Sequence, residues 1–131
     1  MTKEFEFSSW TLADFERLAY NTASEKGFHD PKVYVVGEAP RERSLPEAIA
    51  LMHSELSEAL EAYRDGKVST FYYEVDGKPE GVMSELADCV IRILDTAHDL
   101  WLKGSPVTLT QAIVSKMMFN KTRPHMHGKE M

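Results

Sequence analysis

The segment from about Gly81 to Lys103 is the feature that most constrains the fold. It predicts a long helix that is apolar on most sides and is stopped by Gly104 and Pro106. Because a helix that is apolar nearly all round is buried, other helices must cover it. Its apolar positions are Val82, Leu86, Cys89, Val90, Ile91, Ile93, Leu94, Ala97, Leu100 and Trp101.

Ionisable residues also run through this helix. Glu85, Asp88, Arg92 and Asp95 follow one another at spacings of three, four and three residues. Charges on a buried helix are costly unless they are paired or bound to a metal. The segment therefore indicates either an ion-pair network or a metal site.

A second acidic pair, Glu55-x-x-Glu58, lies on another predicted helix. Residues three apart share one helix face, so two such pairs on neighbouring helices bring four carboxylates into a small volume. Their mutual repulsion shifts their pKa values unless a cation lies between them, and Mg²⁺ takes oxygen ligands of this kind. We predict a metal site of Glu55, Glu58, Glu85 and Asp88. The alternative is a structural network in which Arg92 and Lys116 balance the acids.

The remaining sequence predicts three further helices, over residues 10–25, 45–65 and 108–121. Capping pairs mark their starts at Thr11 with Asp14, Ser44 with Glu47, and Thr108 with Gln111. Residues 67–80 carry β-branched and aromatic residues before the turn signal Asp76-Gly77, which predicts a short hairpin between helices 2 and 3. The fold class is all-α, a four-helix-bundle type, in one domain over residues 1–131.

Net charge and composition limit the kinds of partner and the cellular compartment that we expect for this protein. The net charge of −6 argues against a nucleic-acid duplex, which needs a basic face. The single cysteine, Cys89, lies in an apolar run and is expected in the core. No apolar run approaches the length of a membrane span and the first residues carry no apolar signal core, so we expect a cytoplasmic protein without a membrane partner.

Basic and polar residues near the end of the chain predict a phosphate-binding surface. Lys116, Asn120 and Arg123 are spaced by four and three, so they share one side of the fourth helix. Lysine supplies a point charge and arginine a planar fork for phosphate oxygens. The alternative is an ordinary basic helix end favoured by the helix dipole. Arg92 and His29 complete the predicted substrate-binding set, although His29 is equally compatible with packing.

Taken together, the two acidic pairs resemble a family signature. Glu55-x-x-Glu58, a spacer of 26 residues and Glu85-x-x-Asp88 are similar to the motif of the MazG-like all-α nucleoside triphosphate pyrophosphatases. Residues 51–64 and 81–95 resemble the second and third helices of that family. Residues 116–124, with His127-Gly128-Lys129, resemble the closing segment of its small, often phage-borne, members. Two departures bear on base recognition: Phe119 stands where the family has tyrosine, and His125-Met126 replaces an aromatic–basic pair.

The resemblance implies a hydrolase of acid anhydrides that cleaves a (deoxy)nucleoside triphosphate between the α and β phosphates, releasing the monophosphate and pyrophosphate. It implies that the four acids are catalytic, bind Mg²⁺, with Mn²⁺ as a substitute, and orient a water. It implies that Lys116, Asn120 and Arg123 hold the substrate. Members assemble as homodimers or homotetramers, so this clamp can come from a neighbouring subunit.

Two other functions fit parts of the sequence. Asp95-x-x-His98 loosely resembles the Glu-x-x-His element of ferritin-like di-iron carboxylate proteins, although Glu55-x-x-Glu58 lacks the histidine that a second element needs. A non-catalytic helical interaction module, with structural acids, is the third possibility.

Overall fold

Four helices and one small hairpin make up the fold. The computed structural model describes residues 7–66 and 70–124. In chain order the elements are α1 (Leu12–Glu25), α2 (Leu45–Arg64), β1 (Tyr72–Tyr73), β2 (Pro79–Glu80), α3 (Val82–Leu102) and α4 (Leu109–Thr122). The predicted all-α class with a short hairpin between helices 2 and 3 is confirmed.

The helix starts follow the capping chemistry of the sequence. At α1, α2 and α4 the N-cap side chain accepts a hydrogen bond from the third helical residue, whose side chain in turn accepts one from the N-cap backbone. These reciprocal bonds satisfy amides that the first turn of a helix leaves without partners. The predicted capping pairs at Thr11, Ser44 and Thr108 are therefore confirmed.

Helix α3 starts differently because it follows directly on the hairpin. Strands β1 and β2 pair antiparallel, with Tyr72 opposite Glu80. Gly81 then adopts a φ of 107°, and a Cβ there would lie 2.5 Å from the carbonyl oxygen of Thr70. The same oxygen accepts a hydrogen bond of 2.9 Å from the backbone N–H of Met83. Only glycine fits this close approach, which fixes where the first turn of α3, carrying Glu85, begins.

Helix α3 is the centre of the fold, packed mainly against α2 and next against α1. Among the described residues, the buried apolar side chains are those of Ala19 on α1, Ala59 on α2, and Cys89 and Leu94 on α3. Cys89 lies in the core as predicted, with its Sγ 3.6 Å from the carbonyl oxygen of Met52. None of the helices in the described ranges is long and apolar enough to cross a bilayer.

The expectation that α3 is buried nearly all round is wrong for the single chain. Met83, Leu86, Val90 and Ile91 are exposed, because α1 and α2 cover only part of the helix and α4 touches it only at the margin. Helix α4 has no buried residue, and Val114, Met117, Met118 and Phe119 along it are all more than half exposed.

Candidate functional site

Three of the four predicted acidic residues converge between α2 and α3. Glu55 and Glu58 lie one turn apart on α2, and Glu85 lies in the first turn of α3. Each offers a carboxylate oxygen within 4.8 Å of the other two. Glu55 is buried, Glu85 is half-buried and Glu58 is exposed, so the cluster reaches from the helix interface to the surface.

Glu85 shows the electrostatic cost of this convergence. Burial contributes most to raising the pKa of Glu85 to about 7, followed by a hydrogen bond that protonated Glu85 donates to Glu58 and by the repulsion of the Glu58 charge. Its Oε2 is buried and meets no hydrogen-bond partner among the described residues. A buried, unsatisfied carboxylate oxygen beside two other carboxylates is a position that a cation stabilises.

Asp88, the fourth predicted ligand, lies beside this group rather than within it. One turn of α3 separates it from Glu85, and its residue is exposed. Partial desolvation and the nearby charge of Glu55 raise the pKa of Asp88, while Arg92 opposes that shift. Asp88 and Glu55 line the same cavity, so Asp88 extends the acidic surface on the side that is open to a ligand.

Arg92 was predicted to bind substrate, and it lies directly against the acids. Its Nε donates a hydrogen bond of 2.8 Å to Oε1 of Glu55. The hydrogen bond agrees with the alternative in which Arg92 balances the acids in a structural network. It involves only Oε1 of Glu55. Across residues 7–66 and 70–124, neither Glu58 nor Glu85 forms an ion pair, and Lys78, which lines a cavity with both, pairs with Glu80 instead.

A cavity of about 290 Å³ adjoins the acidic group. Glu55, Asp88 and Arg92 form one side of it, and Lys26 and Arg43 supply further positive charge. Neither basic residue belongs to a sequence motif that predicts a site. Lys26 caps the end of α1 and Arg43 immediately precedes the N-cap of α2, so they border the two ends of one connection. Their spacing in the sequence does not predict that they lie close together. The segment that connects α1 to α2 folds back and brings both residues to the cavity.

His29 lies in a second cluster next to this cavity. Its Nε2 is 2.6 Å from Oδ1 of Asp95, and its ring lies 4.6 Å, centroid to centroid, from that of Tyr20. His29 therefore has a structural partner, as the packing alternative foresaw. It also lines a separate cavity of about 160 Å³ with Asp99 and Lys103.

The predicted clamp on α4 is not joined to the acids within one chain. No ion pair connects Lys116 to Glu55, Glu58, Glu85 or Asp88 across residues 7–66 and 70–124. The Lys116 ammonium and the Arg123 guanidinium each lie 5.8 Å from the centroid of the Phe119 ring. Asn120 is exposed on the same helix. His125-Met126 and His127-Gly128-Lys129, which belong to the family resemblance, lie outside the described residues.

The Asp95–His98 pair, which suggested a di-iron protein, is divided between different partners. Asp95 contacts His29, whereas Nδ1 of His98 lies 3.5 Å from Oε1 of the buried Glu16. The two side chains are thus directed to separate groups of the protein.

The donor set fits a hard divalent cation. Glu55, Glu58 and Glu85 offer only oxygens, which suit Mg²⁺ or Mn²⁺, and the unsatisfied Oε2 of Glu85 gives the fit a specific atom. The cavity beside them combines acidic and basic walls, an arrangement that can hold a metal-bound polyphosphate. Comparison of the chain with protein-family models, curated proteins and solved structures gives no match.

Proposed function

We propose that the protein is a Mg²⁺-dependent nucleoside triphosphate pyrophosphohydrolase of the MazG-like type. It would cleave a (deoxy)nucleoside triphosphate between the α and β phosphates, giving the monophosphate and pyrophosphate in nucleotide-pool control or house-cleaning. The observation that carries the proposal is the convergence of Glu55, Glu58 and Glu85 from two helices, with oxygens within 4.8 Å of one another. The acidic signature that resembles this family supports the same assignment.

The metal-binding role falls to Glu55, Glu58, Glu85 and Asp88. A Mg²⁺ ion held by these residues would supply positive charge to phosphate oxygens and would lower the pKa of a water. Glu85 must lose its proton to serve as a ligand, since burial and Glu58 raise its pKa to about 7. Glu55 is already held in place by Arg92, which orients one of the four ligands before anything binds.

The chain's own residues then supply a base and a phosphate surface. Glu58 is the exposed member of the converging trio Glu55, Glu58 and Glu85, so we assign to it the proton of the water that attacks the α-phosphorus. Arg92, Lys26 and Arg43 line the adjoining cavity and would bind phosphate oxygens. Positive charge at this point stabilises the charge that spreads over the transferred phosphoryl group.

A homodimer or homotetramer completes the proposal. Apolar residues remain exposed along α2, α3 and α4, among them Leu60, Val90 and Met117. Exposed apolar surface of this extent on a small chain favours burial against another copy. In such an assembly, one subunit would hold the substrate at its acidic group. Lys116, Asn120 and Arg123 of a neighbouring subunit would bind the same substrate. We place this activity in the cytoplasm.

Pyrophosphate release tests the proposal. The purified protein is incubated with each of the common deoxynucleoside triphosphates in Mg²⁺, in Mn²⁺ and in excess chelator. We expect nucleoside monophosphate and pyrophosphate in equal amounts with either metal, and neither product with chelator. Release of orthophosphate would move the cut to another bond. If Mg²⁺ changes neither the melting temperature nor the affinity for nucleotide, the protein is instead a helical interaction module.

A further inference from the structure

The two cavities described above adjoin each other. Phe28, Arg43 and Asp95 line both of them. One cavity reaches Glu55 and Asp88 at the acidic group, and the other reaches His29, Asp99 and Lys103. Small-molecule sites usually begin near roughly 300 Å³, which the joined space exceeds although neither cavity does so alone. A ligand with its phosphates at the acidic group would extend its other end toward Asp99.

The far cavity is rich in hydrogen-bond acceptors. Lys103 Nζ lies 2.8 Å from Oδ2 of Asp99 and 3.1 Å from Oε2 of Glu42. Oδ1 of Asp99 lies 3.9 Å from Nδ1 of His29, beyond hydrogen-bond range. Within the described part of the chain, that oxygen accepts no hydrogen bond, even though the Asp99 side chain is only 20% exposed. An ionised carboxylate is an acceptor only, so this solvent-accessible oxygen is open to a donor on a ligand.

An aromatic surface lies beside these acceptors. The Phe28 ring is about half exposed, and the Arg43 guanidinium lies 5.5 Å from its centroid. Aromatic rings and guanidinium planes are surfaces on which nucleobases stack. A planar heterocycle can therefore stack at Phe28 while its edge faces Asp99.

We propose that this far cavity is the base subsite of the enzyme and that Asp99 selects bases whose amino group lies at the position of cytosine N4 or adenine N6. The inference rests on the proposed function. Cytosine N4 and adenine N6 present N–H donors, whereas the O4 of thymine or uracil and the O6 of guanine are acceptors. Oδ1 of Asp99 gains a hydrogen bond from the first two and faces a repulsive oxygen in the others. The preferred substrates are accordingly the cytosine and adenine nucleoside triphosphates.

The test compares kcat/KM for dCTP, dATP, dTTP and dUTP in Mg²⁺. Because one well-formed base contact discriminates by about 1–3 kcal/mol, we expect about a 10-fold or greater preference for dCTP and dATP. Asp99→Asn places an amide that can also donate, so the ratio of dCTP to dTTP should fall toward one. Glu42→Gln, at a side chain that is 41% exposed on a loop, should lower the ratio in the same direction with little effect on folding.

The matched control is Glu25→Gln, an exposed carboxylate at the end of α1, which should keep the wild-type ratio. Affinities for dCMP and dTMP, measured by calorimetry in chelator, report base binding without hydrolysis, and dCMP should bind about 10-fold or more tightly. Similar kcat/KM values for all four substrates would overturn the base subsite and leave the hydrolase standing. If no substrate is cleaved, the hydrolase fails, and equal dCMP and dTMP affinities would then overturn the subsite as well.

Discussion

Arg92 on α3 donates its Nε to Oε1 of Glu55 on α2 at 2.8 Å, where the Glu55 side chain is only 10% exposed. The contact joins the two helices that carry the acidic group. It also compensates one buried carboxylate while leaving Glu58 and Glu85 to repel each other. The ion pair and the candidate metal site therefore share Glu55.

Replacing Arg92 by alanine should destabilise the metal-free protein. Loss of a charged hydrogen-bond partner leaves Glu55 buried and uncompensated, which costs about 1–3 kcal/mol. Chemical denaturation with and without Mg²⁺ measures the effect. The control is Arg64→Ala, because Arg64 pairs with Glu61 at the surface, with both side chains more than 60% exposed, and such pairs contribute below about 1 kcal/mol. Equal losses in the two variants would show that the Arg92 contact has no special role.

Neutralising one acid of the cluster should remove activity without unfolding the protein. Glu58→Gln or Asp88→Asn should lower kcat/KM by about 100-fold or more, since the loss of an outer-shell partner of a ligand already costs about 10–100-fold. The control is Glu61→Gln, which changes an exposed acid one turn further along α2. Circular dichroism verifies the fold. Full turnover by Glu58→Gln would remove that residue from the mechanism.

The raised pKa of Glu85 predicts the sign of a pH effect on stability. Glu85 titrates near 4.5 when unfolded and at about 7 when folded, so the folded state holds more protons between those values. The free energy of unfolding of the metal-free protein should therefore fall as pH rises through this window. Thermal melts from pH 5 to 8 measure it. Mg²⁺ should raise the melting temperature more at pH 8 than at pH 5.5.

Glu85→Gln provides the comparison for that pH series. Its amide does not titrate, so the slope between pH 4.5 and 7 should flatten. Asp88, whose pKa is also raised, leaves a smaller slope of the same sign. A slope that is unchanged in Glu85→Gln would assign the pH effect to another group.

Self-association should depend on the exposed apolar faces of α2 and α3. Leu60 is 48% exposed and Val90 49% exposed in the single chain. Leu60→Glu and Val90→Glu should dissociate the assembly while leaving each chain folded, because a charge buried at an interface is costly. Sedimentation velocity measures the mass of the wild-type protein and of each variant in solution. Val75→Glu, at the tip of the hairpin, is the control. A wild-type mass of 14.9 kDa at every concentration would contradict the assembly.

Gly81 should tolerate substitution less well than Gly77, although both have positive φ. In Gly77→Ala the added Cβ meets no other atom within 4 Å, so only the φ of 89° destabilises the variant. That strain costs about 1–3 kcal/mol. In Gly81→Ala, the added Cβ would also meet the Thr70 carbonyl oxygen at 2.5 Å. We expect a larger loss of stability and weaker Mg²⁺ binding, because the first turn of α3 carries Glu85. Denaturant midpoints and Mg²⁺ titrations of both variants provide the measurement.

Local chemistry allowed much of the fold to be predicted. The capping pairs at Thr11, Ser44 and Thr108 and the stop at Gly104 set the helix ends, because they act through neighbours three or four residues away. The turn at Asp76-Gly77 likewise predicted the hairpin. The extent of burial on α3 could not be read this way, since an apolar pattern does not say whether the same chain or another copy covers it.

What the sequence by itself determined was which helices form and which of their faces carry acids, since helical period and capping are local properties. Only the tertiary structure decided that Glu55, Glu58 and Glu85 meet while Asp88 lies beside them, because the register between α2 and α3 depends on how their side chains interlock. It also decided that Lys26, Arg43 and Phe28 come to the cavity. Those contacts join residues far apart in the chain, and no local spacing encodes them.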